Sequence, residues 1–455
     1  MRVAYLSPLP PRPSGIADYS AELLPALAEH WNLDLYTEAD YRPSEELAEG
    51  FTVRPVSDFP RRAGEYDAAV YQIGNHPLFH GPLYRALQEV PGVLVLHEYV
   101  LHHMLRELTV VAGDADAYLQ LLRYCAGSTG HRLGRRMLTT GIPVDPWRYP
   151  LFERAVDASR AVIVHGETAR QRILASRPSA EVFAVPQHFS LGAEAEAGDR
   201  QALRAALDLP AAGLLVATYG FLSRPKRIDV CLRAFARLRR RYPEALFLLV
   251  GDADPRLELA ERLAGELGVG VRWIGRTPMV TFQRYLTVSD IALNLRYPTA
   301  GETSAVLMRL LALGKAVVVS DAGAFAEIPD GCVAKIDPRQ GEEETLARTL
   351  ELLAGDAGLR RSLGANARRY MLGAHTLEHT AAGYARAVEE TVRRKLQPSP
   401  PVPPLAPYPE EDVASDLYEA VGAHLADLGI EDGEGELLSA VSERLVDLGI
   451  CPAKA

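Results

Sequence analysis

Glu302 stands directly before Thr303 and Ser304, and the run behind them reads as a helix closed at Gly314-Lys315, then a bare β-branched strand. A helix start offers unpaired backbone N–H groups and the positive end of a dipole, which suits a phosphate. A carboxylate beside it accepts hydrogen bonds from sugar hydroxyls. Glu302, Thr303 and Ser304 therefore fit a sugar nucleotide. Arg224, Lys226 and Arg227 gather in TYGFLSRPKRID, after a strand ending at Tyr219-Gly220. Cations at a strand's carboxyl end suit a diphosphate. In PLPPRPSGIADY, Ser14 is a candidate N-cap and Gly15 opens the next helix, where a glycine lets a ligand approach the backbone. His97-Glu98 follows the strand Val93–Leu96 and is placed to meet a substrate. His165-Gly166-Glu167 reads as the start of a helix, and His102 and His103 as a helix surface.

Metal chemistry has little support. HEYVLHH lacks the HExxH spacing, and the DxD triplet Asp252-Ala253-Asp254 reads as a loop and helix cap after the strand Leu246–Val250. The four cysteines, Cys125, Cys231, Cys332 and Cys451, form no CxxC pair and fit a reducing compartment. No metal and no cofactor are expected beyond a nucleotide diphosphate sugar as donor substrate.

The elements that must hold these groups alternate. Strands are expected at Arg2–Ser7, Leu33–Tyr36, Ala68–Gln72, Val93–Leu96, Ala161–Val164 and Val182–Val185. A second series runs Leu214–Tyr219, Leu246–Val250, Val271–Ile274, Ile291–Leu295, Ala316–Ser320 and, more weakly, Val333–Ile336. Continuous apolar strands separated by amphipathic helices indicate parallel sheets covered on both faces. Two such series indicate two doubly wound, Rossmann-like α/β domains, with the ligand in the cleft between them. The expected boundaries are 1–190, then 208–375, a long helix over 376–395, a Pro-rich linker over 396–412 and a helical appendage over 413–455. In that appendage EAVGAHLADLGI and SAVSERLVDLGI repeat with a period of 20 residues, and the pair reads as a small helical hairpin that packs on the body or on a partner protein.

At 455 residues with 48% hydrophobic and 24% charged residues, the chain reads as globular. Its net charge of −10 argues against general nucleic-acid binding, and the Arg run at 237–241 reads as a solvated helix face. MRVAYLSPLP runs straight into a strand without signal-peptide character, and no apolar run reaches membrane-spanning length. A cytoplasmic protein is expected, with peripheral contact at the inner face of a membrane open to it through Arg123, Arg132, Arg135 and Arg136, although a solvated helix face is the preferred reading of those arginines.

With these segments in place, residues 1 to 390 resemble the retaining glycosyltransferases of family 4, with the GT-B fold. The likeness rests on the order of SGIADYS, VLHEY, VIVHGET, YGFLSRPKRID, LFLLVGD, VRWIGR and SDIALNLR, leading into GETSAVLMRLLALGKAVVVSDAGAFAEIPDG. In that family the last helix carries Glu-x7-Glu before a Gly-Lys turn. Here Arg309 takes the second position, and Glu302 stands one place after the first, which is Gly301. Such enzymes also set an Arg five residues before the Lys; Phe221 stands there, with Arg224 or Arg227 as substitutes.

The resemblance implies transfer of a hexosyl group from a nucleotide sugar to a lipid-linked or polysaccharide acceptor, with retention by front-face attack and no covalent nucleophile. Lys226 and Arg224 would neutralise the diphosphate with N–H groups near Thr303 and Ser304, and Glu302 would bind sugar hydroxyls. Arg309 would lie on the donor side, Gly15 would close on the diphosphate, and His97 would face the sugar or acceptor. The rivals are a sugar-nucleotide epimerase using His97, Glu98 and His165, a phosphorylase, and a non-catalytic GT-B scaffold that binds a partner through its C-terminal repeat.

Overall fold

The computed structural model describes residues 1–38, 41–192, 199–254 and 258–398. The expected C-terminal repeat and nearly all of the expected linker lie outside these residues.

The first sheet has seven strands: β1 (Arg2–Leu6), β2 (Asn32–Thr37), β3 (Thr52–Pro55), β4 (Ala68–Ile73), β5 (Val93–Leu96), β6 (Ala161–Val164) and β7 (Val182–Ala184). Their order is β3-β2-β1-β4-β5-β6-β7, with every pair parallel. The second sheet holds β8 (Leu215–Tyr219), β9 (Leu246–Val250), β10 (Val271–Ile274), β11 (Ile291–Asn294), β12 (Ala316–Ser320) and β13 (Ala334–Ile336). Its order is β10-β9-β8-β11-β12-β13, again all parallel. Both sheets are doubly wound, and their order reverses beside β1 and beside β8. Ligands bind such sheets outside the carboxyl ends at that reversal.

Strand β3 was not expected. Its TVRP sequence lacks an apolar run because it is an edge strand, paired only through β2. In β12, Val317 and Val319 enter one core with Leu307, Leu311 and Phe325, while Val318 enters the opposite one with Phe235, Phe247 and Leu346. Both faces of the strand are thus dry, which is why it reads as an uninterrupted run of valines.

The late helix Leu377–Arg393, capped by Thr376, follows the second sheet in sequence but packs in the first sheet's core. Tyr384 lies with Val3, Tyr5 and Leu23 there, and its hydroxyl meets that of Tyr19 at 2.9 Å.

Asn75–Pro77 and Val100–Arg154 form a compact unit of their own. Within it, the helix Ala115–Thr140 is broken at Ala126-Gly127, where Gly127 takes φ 58°. His102 is not on a helix surface as expected: it is 2% exposed, and its ring nitrogens meet Tyr149 O at 2.6 Å and Tyr118 Oη at 2.8 Å.

Candidate active site

The loops after β8 and β11, at the reversal of the second sheet, bring together the residues singled out on that side. After β8 the chain turns at Gly220 (φ 79°) and enters a single 3-10 turn, Arg224–Lys226. The turn sends the Lys226 side chain back under the strand end, where its ammonium donates to Tyr219 O and is buried. Burial pushes its pKa well below the usual lysine value; the nearby Arg296 cation pushes the same way, and Glu302 opposes them. Arg224 remains exposed. Arg227 is held by Glu342 at 2.9 Å and is committed to packing.

After β11, Arg296 Nη1 donates to Glu302 Oε1 at 2.8 Å. The other carboxylate oxygen accepts from Thr299 Oγ1 at 3.0 Å and from Ala300 N at 2.7 Å. Glu302 thus braces its own loop, with about one of a carboxylate's four lone-pair positions left over. Gly301 takes φ 78°, and a side chain there would come within 2.2 Å of the Tyr99 ring. That clash explains why the carboxylate stands at 302 and not at 301. Ser304 caps the helix Ala305–Ala312 by accepting from Leu307 N at 3.2 Å, and Thr303 Oγ1 donates to Gln187 Oε1. Two cations, Lys226 and Arg296, therefore face one carboxylate beside a helix N-terminus. This arrangement can take an anion with two or more charges.

Arg309 lies on the buried side of that helix. It is not a free cation facing a donor: it pairs with Glu22, on the helix Gly15–Ala28 of the first sheet, and also donates to Ala305 O at 3.3 Å. Glu22's other oxygen lies 3.3 Å from His188 Nε2. Asp18, one turn before Glu22, has its pKa raised by burial; the Arg309 and Arg276 charges pull it back, and Glu22 adds to the rise. Gly15 opens that helix, Ser14 Oγ accepts from Ile16 N at 3.3 Å, and a side chain at Gly15 would meet nothing within 4 Å. A second tie joins the sheets: Glu327 accepts from Glu167 N at 2.8 Å and Thr168 N at 2.6 Å, capping the helix Glu167–Ser176.

His97 hydrogen-bonds Gln72 Oε1 through Nε2 at 2.7 Å. Its ring lies 5.1 Å from Tyr19 and 5.0 Å from His165, and Tyr19 also meets His188 at 4.5 Å. His165 follows β6 directly and turns inward, with Nδ1 3.0 Å from Val185 O, and the helix begins only after Gly166. Burial lowers the pKa of His165 to about 4 and that of His97 well below the usual value, where neighbouring histidines add to the effect. Both rings are neutral at pH 7.

Sequence reasoning missed Arg296, Tyr19, Glu22, Tyr99 and His188. Arg296 carried a signal, as a cation two residues past the apolar run of β11. The others acquire their roles only through partners distant in sequence. Asp252 Oδ1 accepts from Arg276 N at 3.2 Å, so the first carboxylate of the DxD triplet holds the loop after β10; among the described residues no group of three or more His, Cys, Asp or Glu is arranged to hold a metal ion.

Residues 213–356 match the family model described as Glycosyl transferases group 1. The D-inositol 3-phosphate glycosyltransferase of Nocardia farcinica is 30% identical over 267 residues, which span 56% of this chain and 58% of that relative. Among solved structures, sucrose-phosphate synthase from Thermosynechococcus elongatus superposes over 87% of this chain and all of its own, with TM-score 0.61 and 17% identity. HepE of Anabaena, in complex with UDP and glucose, covers 86% of this chain and 100% of its own at TM-score 0.60 and 15% identity. The lipopolysaccharide-biosynthesis glycosyltransferase WaaG covers 85% and 99% at TM-score 0.55 and 16% identity. The chain thus has the GT-B fold, and its residues 213–356 match the glycosyl transferases group 1 model.

Proposed function

We propose that this protein is a retaining glycosyltransferase that moves a hexosyl group from a nucleotide diphosphate sugar to a lipid-linked or polysaccharide acceptor. The observation that carries this reading is the Lys226–Arg296–Glu302 cluster at the reversal of the second sheet, inside the segment that matches the glycosyltransferase model. HepE, which shares the fold, was solved with UDP-glucose, a donor of this class.

In this reading Lys226 and Arg296, with Arg224 at the rim, stabilise the leaving diphosphate as its charge develops. Glu302 orients the Arg296 guanidinium and offers its remaining lone pair to a sugar hydroxyl. Thr303 and Ser304 set the helix N-terminus toward the phosphates, and Gly15 leaves room on the opposite side. His97, neutral and oriented by Gln72, accepts from a sugar or acceptor hydroxyl. Arg309 acts at a distance, holding the donor helix to Glu22. The reading requires no metal or cofactor and places the chain in the cytoplasm, against the inner face of a membrane when the acceptor is lipid-linked. The relative's name supports a second acceptor class, a phosphorylated cyclic polyol.

Thermal-shift screening against UDP-, GDP-, ADP- and TDP-sugars tests the donor, and NMR of the product tests the anomeric outcome. If no nucleotide sugar stabilises the protein at millimolar concentration, the transferase reading fails. Solvent deuterium entering the donor sugar without any acceptor would instead favour the epimerase.

A further inference from the structure

The charge of this chain is unevenly placed. Residues 410–455 hold twelve acidic and two basic side chains, a balance of −10, which equals the net charge of the whole chain. Residues 1–409 are therefore balanced. The acidic segment is also apolar at helical spacing: Val421, Leu425 and Leu428 in the first repeat match Val441, Leu445 and Leu448 in the second. It asks for a surface that is both cationic and apolar.

Such a surface lies at the end of the helix Ala115–Thr140 and in the loop behind it. Arg135, Arg136 and Arg148 are exposed there and have no carboxylate partner among the described residues. Between them Leu138, Ile142 and Trp147 are 41%, 49% and 36% exposed. Scattered single apolar residues on a surface are ordinary, whereas three within ten residues, flanked by unpaired arginines, form a patch that water covers poorly.

We propose that the acidic C-terminal repeat, residues 419–450, docks on the Arg135–Arg148 surface of its own chain, with its leucines on Leu138, Ile142 and Trp147 and its carboxylates on the three arginines. Residues 399–418, rich in proline at their start, reach roughly 60 Å if extended as polyproline II. A tethered segment needs little intrinsic affinity, because the linker keeps its effective concentration near millimolar. An anionic membrane would compete for the same arginines, and the tail would repel that membrane.

Hydrogen exchange on the full-length chain tests this directly. Peptides within 419–450 should exchange about tenfold faster in Arg135→Glu/Arg136→Glu/Arg148→Glu than in the unmodified chain, and should do the same in about 0.5 M salt. Adding Asp427→Lys, Glu431→Lys and Asp432→Lys to the arginine variant should restore protection, and those three tail changes alone should raise exchange within 132–148. Tail peptides that exchange equally fast in every variant would overturn the proposal. So would vesicles of phosphatidylserine and phosphatidylcholine binding the unmodified chain as tightly as the chain with the three tail changes, since the surface would then be open to lipid.

Discussion

A lysine folded under the end of β8, with Arg296 beside it and no carboxylate in ion-pair contact among the described residues, is in a setting that an anion would improve. Desolvation by burial and the nearby Arg296 charge depress the Lys226 pKa. A diphosphate reverses the local field and raises that pKa, so nucleotide binding should take up a proton at pH values between the free-state and bound-state pKa. Calorimetry with UDP in buffers of different ionisation enthalpy should show net uptake, and affinity should fall as pH rises from the free-state to the bound-state pKa of Lys226, levelling off above it. Uptake that persists in Lys226→Met would assign the proton to another group. Loss of the charged hydrogen bonds in Lys226→Ala should weaken nucleotide binding by about 10- to 100-fold. Gly301 is constrained twice, by φ 78° and by the Tyr99 ring. Gly301→Ala should therefore cost at least about 1–2 kcal/mol and displace the Glu302 brace, read as a lower unfolding midpoint together with weaker UDP binding.

At the scale of elements, the first helix of one sheet and the helix Ala305–Ala312 of the other are tied by Glu22 and Arg309. Removing one partner strands the other charge in a partly dry setting. Glu22→Gln or Arg309→Met alone should cost about 2–3 kcal/mol in denaturant unfolding, whereas the double variant should cost less than the two together. Strict additivity would mean that the pair is not coupled. Glu327, capping the helix Glu167–Ser176 from the other sheet, is a second tie, and its removal should cost about 1 kcal/mol by the same measurement.

Across the whole molecule, buried neutral histidines make stability depend on pH. His165, at about 4, and His97, His102 and His375 all have pKa values below the usual 6.5, with burial as the first cause. Between pH 6.5 and 4 the unfolded chain binds more protons than the folded one. Stability should then rise with pH across that window and be lost as the pH falls through it. His165 alone accounts for on the order of 3 kcal/mol when the loss is complete. Carboxylates such as Glu344, lowered to about 2 by Arg237 and Arg348, begin to contribute only in more acid solution. Melting temperatures from pH 7.5 to 4.5 should fall steeply, and a flat profile would contradict the buried-neutral assignment.

The sequence by itself determined the elements and their type, because a strand dry on both faces must be apolar throughout, as Val317, Val318 and Val319 are. It also placed Lys226, Glu302 and Ser304 after the right strands, since βα loops always emerge at carboxyl ends. The edge strand β3 escaped because one open edge relaxes that demand. Only the tertiary structure decided which charges remain available. Arg309 and Glu22 lie 287 residues apart and neutralise each other, Arg227 is taken by Glu342, and Arg296 is recruited by Glu302. Ion pairing depends on distances of a few ångströms, in the first two pairs between segments 287 and 115 residues apart. Periodicity, which fixes the faces of single elements, carries no information about those distances.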